Sequence, residues 1–354
     1  MRRVMAATAI AATAVPFALF GGASPAAACG GLVGENGTIQ LVRTTTLAAY
    51  DDGVERYLTA FTFTGEGEEV GTIVPLPDAP TEVVRGGDWT LQRLVQEVTP
   101  AQQGAGDAAT ESADAAGVDV ILETEIDALD ITVLRGGGDE VGQWAIDNGF
   151  LLTPDTPEVL DFYARRSPVF MAAKFDATRA ADLGQSAGQA TPVMATIPTD
   201  DPWVPLRILG LGLDADQTVA ADVFLLTDSE PELLAGGPGI REVRSEAASD
   251  LLLDDLRSDE RMEWVPQQAW LSYLQVDTPA GELDYDLAVS TRPDEPPALE
   301  DIGVEGFDAV RVPDSGNGTP VWPLAAAGAL GLAVLVLGFW PRLRPEAGRG
   351  PVAP

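Results

Sequence analysis

The sequence predicts an α+β protein: a mostly antiparallel β ectodomain with a few short helices, followed by one C-terminal transmembrane helix. Three observations support this prediction. The 354 residues are 45% hydrophobic, which is enough to bury a core. Strand-like and helix-like segments follow one another in mixed runs without a regular βαβ period. A long apolar stretch without charge lies near the C-terminal end.

Residues 1–28 have the pattern of a signal peptide. Arg2 and Arg3 precede a long apolar run without charge, and small residues follow that run. Ala26 and Ala28 occupy the two small-residue positions of an Ala-x-Ala cleavage site, so cleavage would make Cys29 the new N-terminus. The same segment loosely resembles a bacterial lipobox, although the usual bulky aliphatic residue is missing. Two alternatives therefore stay open for Cys29, which are lipidation and an unmodified N-terminal residue.

Residues 29–290 are predicted to form the extracytoplasmic α+β domain. Strands are predicted where β-branched and aromatic residues alternate or run together between turn signals. These segments are 38–47, 56–63, 71–76, 118–123, 130–134, 168–175, 192–197, 204–211, 219–226, 270–276 and 283–289. The turn signal Asp51-Asp52-Gly53 separates the first two and predicts a hairpin.

Four helices are predicted from apolar residues spaced by three and four positions. They are a helix that follows Asp88 as its cap, then 139–148, 156–165 and 245–256. Thr156 is predicted as the cap of the third helix, with a proline in its first turn. The last helix is predicted to turn Leu251, Leu252 and Leu256 inward.

Two segments have the composition of chain that does not pack. Residues 100–117 are rich in Ala, Gly, Gln and Asp without an apolar period, and we predict a disordered surface insertion there. Residues 291–320 are rich in proline and acidic residues, which predicts a stiff stalk between the domain and the membrane.

Residues 321–340 are predicted to span the membrane. No charged residue occurs between Asp314 and Arg342, and a helix of about twenty residues crosses a hydrocarbon core of about 30 Å. Trp322 and Trp340 stand at the two ends of the span, where indoles prefer the interface. The arginines that follow place the tail, 341–354, in the cytoplasm. We therefore expect a single-pass cell-membrane protein with the bilayer as one partner and its N-terminal domain outside.

Charge and composition exclude several classes of function. The chain has 55 acidic against 21 basic residues, a net charge of −34, which would repel the phosphates of nucleic acid. It contains no histidine, so a Ser-His-Asp triad, a Cys-His pair and a His-ligated zinc site are excluded. Cys29 is its only cysteine, so no intramolecular disulfide can form.

Two motifs suggest nucleophilic chemistry at first inspection. Residues 184–188 match G-x-S-x-G, but no strand is predicted before the serine, no helix can start after it, and no histidine exists to activate it. A loop is therefore the better interpretation. Lys174, the only lysine, lies in an apolar run and is predicted to be a rim lysine with its stem packed. A partly buried lysine with a lowered pKa is the alternative.

Acidic residues offer two further interpretations. Asp214 and Asp216, with Asp222 further along the chain, present oxygen ligands at alternate positions, but they lack the glycine and glutamate of a calcium loop. We expect an acidic turn here, keep calcium as an alternative, and predict no cofactor. Asp259 and its acidic neighbours at 254, 255 and 260 are predicted to cover the solvated side of a helix end.

Three stretches, taken in order, resemble the DUF2330 family of bacterial envelope proteins. They are Ala-Cys-Gly-Gly at 28–31, a strand running into Pro-x-Pro at 72–77 with a short helix ending near 100, and the blocks 141–150, 160–163 and 170–175. The resemblance covers roughly residues 28–230. Many members carry a second cysteine directly after Cys-Gly-Gly, where this chain has Leu32 and Val33. The resemblance implies an envelope address and supplies no catalytic residues.

The sequence therefore favours a membrane-anchored, non-catalytic module that binds or organises a partner, as yet unknown, at the cell envelope. The alternative is an extracytoplasmic hydrolase that uses carboxylates or a divalent cation. An enzyme of that kind needs a concave pocket in which acidic side chains converge.

Overall fold

The computed structural model describes residues 31–34, 44–62, 69–99, 119–185, 190–235, 237–292, 294–302 and 310–311. All of them belong to one unit, residues 1–313. The predicted signal peptide, Cys29, the insertion at 100–117 and the membrane span at 321–340 lie outside the described residues. Within the described ranges, no helix has the length and apolar character needed to cross a bilayer.

The described part of the chain contains sixteen strands and five α-helices. The strands are β1 (Gly31–Gly34), β2 (Thr44–Asp51), β3 (Val54–Thr62), β4 (Glu69–Leu76), β5 (Glu82–Arg85), β6 (Asp119–Ile126), β7 (Leu129–Arg135), β8 (Val169–Asp176), β9 (Ala190–Pro198), β10 (Trp203–Val204), β11 (Thr218–Thr227), β12 (Glu232–Ala235), β13 (Ile240–Ala247), β14 (Trp270–Pro279), β15 (Leu287–Ser290) and β16 (Val310–Arg311). The helices are α1 (Thr90–Val98), α2 (Gly138–Asp147), α3 (Thr156–Ala164), α4 (Ala177–Asp182) and α5 (Asp250–Ser258).

The strands form three sheets. The largest has the order β13-β14-β11-β2-β3-β9-β5, the second β1-β4-β8-β7-β6, and the smallest β10-β15-β12-β16. Only the β11–β2 pairing in the described sheets is parallel; the others are antiparallel. The predicted fold class, mostly antiparallel β with a few short helices, is confirmed for this part of the chain.

The main core lies between the two larger sheets. Alternate side chains of the seven-stranded sheet, such as Tyr57 and Leu225, meet alternate side chains of the five-stranded sheet, such as Val133 and Met171. The outer face of the seven-stranded sheet packs against α1 and α5, and the outer face of the five-stranded sheet packs against α2 and α3. The result is a four-layer arrangement of helices, sheet, sheet and helices.

Several local predictions are confirmed by backbone geometry. The turn between β2 and β3 has positive φ angles at Asp52 (49°) and Gly53 (74°), as a tight hairpin requires. Gly149, with φ of 86°, follows α2 and ends it. The predicted helices at 139–148 and 156–165 agree with α2 and α3 to within one residue at each end. The predicted cap of α3 is wrong, because Asp155 occupies the cap position and Thr156 is the first helical residue.

Two predicted strands are much shorter in the structure. Of the segment predicted at 204–211 only Val204 lies in a strand, as the last residue of β10, and 207–210 is a 3₁₀ helix. Pro205 removes a ladder donor, and the backbone N–H groups of Leu206 and Arg207 donate instead to the carboxylate of Asp286. The strand predicted at 283–289 forms only at Leu287–Ser290.

The predicted helix at 245–256 starts five residues later. Residues 245–247 end β13, where pairing with β14 outcompetes helical propensity. Ser249 caps α5 by accepting a hydrogen bond from the Leu252 backbone N–H at 3.2 Å. The prediction that Leu251 faces inward is wrong: it is 67% exposed, and Leu253 is buried in its place.

The cap of α1 also differs from the prediction. Asp88 precedes the helix but forms an ion pair with Arg85, whereas the carboxylate of Asp259 accepts from the backbone N–H of Asp88 at 3.1 Å and of Trp89 at 3.0 Å. The Thr90 hydroxyl donates to the same carboxylate at 2.8 Å. Asp259 is therefore buried, and not part of the solvated helix end that was predicted.

The start of the predicted stalk lies against the smallest sheet. Leu299–Ile302 forms a 3₁₀ helix, and Ile302 is fully buried against Leu234 and Ala288. Further along, Val310–Arg311 forms β16 and pairs with β12. Packed chain therefore continues beyond residue 290.

Candidate functional site

The outer face of the five-stranded sheet is divided into an apolar and a polar half. Its apolar half, including Ile73, Leu134 and Phe170, is covered by α2 and α3. Beyond the C-terminal end of α2, the same face continues with polar side chains, because residues two apart on a strand share one face. These residues are Glu123 and Glu125 on β6, Asp130 and Thr132 on β7, and Lys174 on β8.

The end of α2 and the turn that follows it form a wall above this polar surface. Trp144 and Phe150 lie with ring centroids 5.8 Å apart at an interplanar angle of 48°. The Phe150 ring approaches β4 at Gly71, where a Cβ atom would lie only 2.1 Å from the ring. The glycine therefore permits the close approach that positions this wall.

Floor and wall together enclose a cavity of about 720 Å³. A volume of this size is typical of sites for small organic ligands. Its lining combines aromatic rings with carboxylates, hydroxyls, an amide and an ammonium group. Two of the blocks that resemble the DUF2330 family, 141–150 and 170–175, supply part of this lining.

The cavity lining is negatively charged. Four carboxylates face one ammonium group, that of Lys174. Asp130 accepts from the Arg179 guanidinium at 2.6 Å, and Asp147 accepts from the Gln143 side-chain amide at 2.9 Å. Lys174 is half-buried and pairs in register with Asp130, in agreement with a rim lysine whose stem is packed.

The indole N–H of Trp144 has no hydrogen-bond acceptor within the described ranges. The residue is only 6% exposed, and it lines the cavity. A buried donor left unpaired costs about 1–3 kcal/mol. The nitrogen itself exposes less than 1 Å² of surface, so an acceptor in the cavity cannot reach it, and the unpaired donor reflects local packing and not a ligand.

The G-x-S-x-G segment and the acidic segment that starts at Asp214 do not line this cavity. Gly184, with φ of 70°, follows the short helix α4 and precedes β9, so the G-x-S-x-G segment has a helix before it and a strand after it. This is the reverse of the order that a nucleophile elbow requires. Ser186 lies outside the described residues.

The acidic segment that starts at Asp214 forms a turn before β11. The Gln217 backbone N–H donates to the Asp214 carbonyl at 2.9 Å, and Asp222 lies within β11, where it accepts from the Tyr273 hydroxyl at 2.6 Å. In the described part of the chain, no three Asp, Glu, His or Cys residues group closely enough to hold a metal ion. Calcium binding stays a prediction.

A second buried polar cluster centres on Asp286, which the sequence did not single out. Its carboxylate is fully buried and accepts from the Tyr163 hydroxyl at 2.8 Å, from the Leu206 backbone N–H at 2.6 Å and from Arg166. The Arg166 guanidinium lies 3.8 Å above the centre of the Trp203 ring. Burial and the negative charge of Asp286 raise the pKa of Tyr163 well above its usual value. Because the cluster joins the end of α3 to the segments beside β10 and β15, we assign it a structural role.

Glu55 is another buried acid that sequence reasoning missed. It lies on β3 opposite Tyr50 of β2 and Ile197 of β9, and it is completely buried. Neither carboxyl oxygen has a well-aligned hydrogen-bond donor among the described residues. Burial raises the pKa of Glu55 to about 8, and the backbone N–H of Trp203 lowers it by less. Strand alternation could have predicted this burial, because Glu55 lies on the same face of β3 as Tyr57, which belongs to the core.

Comparison with known proteins identifies a family but no activity. The model of the DUF2330 family, described as an uncharacterized protein conserved in bacteria, matches residues 23–229, which is more than half of the chain. No protein of curated function matches this chain.

Three solved structures of the baculovirus protein P35 show a weak likeness. Two are of a mutated form after caspase cleavage, with 9% and 8% identity, TM-scores of 0.38 and 0.36, and coverage of 72% and 70% of this chain and 99% of each of theirs. The third is of baculovirus P35 itself, with 9% identity, a TM-score of 0.39, and coverage of 70% of this chain and 96% of its own. Likeness at this level carries no argument about fold or function.

Proposed function

The chain belongs to the DUF2330 family, and we propose that it is a membrane-anchored, extracytoplasmic binding module whose site is the cavity at the end of α2. The module is non-catalytic and takes a small polar ligand of the cell envelope. The concave lining, in which carboxylates, a hydroxyl, an amide and an ammonium group converge at the end of α2, is the observation that carries this proposal. The cavity volume of about 720 Å³ supports it, since such sites commonly measure about 300–1,000 Å³.

The membrane part of the proposal depends on the sequence alone. The charge-free span at 321–340 is followed by arginines, and residues 1–28 resemble a signal peptide. We predict that a chain ending before Val321 is released from cells as a soluble protein. If that chain stays in the membrane fraction, lipidated Cys29 is the second attachment, and replacement of Cys29 by Ser then releases it.

A cavity-filling variant tests the binding proposal. Thr132 lies on the floor of the cavity, where Thr132→Trp would occupy space that a ligand needs. A thermal-shift screen of small envelope constituents, neutral sugars included, should identify compounds that raise the melting temperature of the wild type and not of Thr132→Trp. Such a shift follows from binding to the native state alone. Equal shifts in both proteins, or none in the wild type, would refute a ligand site in this cavity.

One observation favours the hydrolase as a second candidate. Glu125 and Asp130 lie directly opposite each other on β6 and β7, and both line the cavity. Carboxylates on neighbouring positions can share acid and base roles. Against this, Asp130 is held by Arg179. Hydrolysis of a glycoside or ester by the wild type that is lost in Glu125→Gln would favour the enzyme over the binding module.

A divalent cation can be tested in the same thermal-shift format. Millimolar Ca²⁺ or Mg²⁺ should leave the melting temperature unchanged if the site takes an organic ligand. Stabilisation by either metal, lost in Asp214→Asn, would support the calcium alternative at the turn before β11.

A further inference from the structure

Glu55 is buried beside the connection that carries the chain from the largest sheet to the smallest. This connection, residues 199–202, leaves β9 and enters β10. Glu55 pairs with Ile197 near the end of β9, and the backbone N–H of Trp203, at the start of β10, acts on its carboxyl group. Glu55 is therefore adjacent to both ends of the β9–β10 connection.

A small number of hydrogen bonds hold the β9–β10 connection in place. At its first residue, the Thr199 backbone N–H donates to the Gly53 carbonyl at 3.0 Å. At its last residue, the Pro202 carbonyl accepts from the Val289 backbone N–H at 3.1 Å. The Arg292 guanidinium donates to a backbone carbonyl of the connection at 2.6 Å. Because β10 itself has only two residues, local opening at this point breaks few backbone bonds.

The closed connection leaves the Glu55 carboxyl group in surroundings that disfavour its charged form. The residue is 0% exposed, and neither carboxyl oxygen has a well-aligned donor among the residues that the structure describes. Burial of a carboxylate without donors costs far more than burial of the neutral acid. Asp200 and Asp201 of the connection are exposed, so opening of the connection brings water to Glu55. Ionisation of Glu55 and opening of the connection are therefore coupled.

The charged groups around the connection do not neutralise Glu55. The Tyr50 hydroxyl, opposite Glu55 on β2, has its pKa raised above 10.0, mainly by burial, and is neutral in the physiological range. Among the charged groups that act on this hydroxyl, Arg292 lowers its pKa, whereas Asp200 and Asp201 raise it. Arg292 pairs with Asp201 at 2.9 Å, and within the described ranges no cation donates a hydrogen bond to Glu55.

We propose that Glu55 is a proton-controlled latch for the β9–β10 connection. While the carboxyl group is protonated, the connection closes over it. When the proton is lost at higher pH, the connection opens, and the smallest sheet loosens from the largest. Residues 290–302, which lead from β15 towards the predicted membrane span, begin at this sheet. The latch therefore acts on the junction between the folded domain and its predicted stalk, independently of the cavity at the end of α2.

Hydrogen exchange of the full-length protein in detergent, followed by mass spectrometry, tests the latch. The probes are peptides that contain Thr199 and Val289, whose backbone N–H groups hold the connection. Peptides from β8, the central strand of the five-stranded sheet, serve as the reference. After correction for the intrinsic pH dependence of exchange, protection at the connection should fall about tenfold for each pH unit between about 5.5 and 7.5. This follows because the pKa of Glu55 is about 8 in the closed state and near its ordinary 4.5 once water reaches it.

Two glutamate variants serve as test and matched control. Glu55→Gln cannot ionise, so protection at the connection should no longer change with pH. Glu82→Gln removes an exposed carboxylate from β5 of the same sheet and should retain the wild-type slope. The comparison of the connection with β8 in the wild type tests the latch even if Glu55→Gln does not fold.

Three results would overturn the inference. They are protection at the connection that is independent of pH in the wild type, a slope that persists in Glu55→Gln, and equal protection at the connection and in β8. The last result would show that Glu55 ionises only when the whole domain unfolds, whereas the latch requires the connection to open first and to be the less protected of the two at every pH.

Discussion

The substitution Glu55→Gln should remove much of the loss of stability that the protein suffers as the pH rises from 4.5 to about 8. In the native state, burial raises the pKa of the Glu55 carboxyl to about 8, whereas an unfolded glutamate titrates near its ordinary value of 4.5. Between these two values the native state holds one proton more than the unfolded state. The free energy of unfolding must therefore fall as the pH rises through that interval.

The size of the effect follows from the two pKa values. Each pH unit between 4.5 and about 8 costs roughly 1.4 kcal/mol, so the wild type loses about 5 kcal/mol across the interval because of Glu55 alone. Below pH 4.5 both states are protonated, and above about 8 both are ionised, so the effect is constant outside the interval. Glutamine resembles the protonated acid in shape and cannot ionise.

Urea unfolding of wild type and Glu55→Gln, followed by circular dichroism at several pH values, measures this difference directly. The variant minus wild-type difference should rise with pH by up to about 5 kcal/mol, whatever constant offset the buried amide adds. Glu82→Gln, an exposed glutamate on β5 of the same sheet, should show no such slope. A flat difference for Glu55→Gln would refute the conclusion that this carboxyl is protonated in the native state.

Three further substitutions test other parts of the structure. Asp259→Ala should lower the free energy of unfolding in urea by about 2–3 kcal/mol, because three donors at the N-terminus of α1 lose their acceptor. Amide hydrogen exchange should increase selectively in α1, and an equal increase across the whole domain would contradict the capping role. Asp286→Ala should lower the free energy of unfolding by about 3–5 kcal/mol, because it leaves Arg166 as a buried charge without its partner. The double variant Asp286→Ala/Arg166→Met should recover part of this loss. Gly71→Ala should displace the Phe150 ring and lower the free energy of unfolding by about 1–3 kcal/mol. A variant as stable as the wild type would show that the wall of the cavity is not close-packed.

Sequence reasoning succeeded where structure depends on neighbouring residues. The hairpin at Asp52-Gly53 follows from two residues that tolerate positive φ, and α2 follows from helical spacing that Gly149 ends. The α+β class follows from the irregular order of strands and helices, which local patterns record. Only the β11–β2 pair departs from antiparallel pairing in the described sheets.

Sequence reasoning failed where one residue's environment is supplied by distant chain. Asp259 lies 171 residues from Asp88, so no local pattern predicts that it caps α1. Asp286 receives donors from two segments more than seventy residues upstream. A local count of acidic residues treats both as solvated, although the fold buries them with their donors.

The candidate site was hidden for the same reason. Three of its four carboxylates and Lys174 come from three strands, whereas Asp147 and the wall come from the end of α2. Only the register of the sheet and the packing of α2 on it bring these residues together. Alternation along β8 did indicate that Lys174 faces away from the main core. The sequence could not indicate that the Trp144 indole lacks an acceptor among the residues that the structure describes, because that depends on every side chain around it.

The most direct test of a ligand site in this cavity is the thermal-shift comparison of the wild type with Thr132→Trp, because the substituted side chain occupies the floor of the cavity. We predict that at least one small constituent of the cell envelope raises the melting temperature of the wild type and not that of the variant. Equal shifts in both proteins, or no shift in the wild type, would contradict the account.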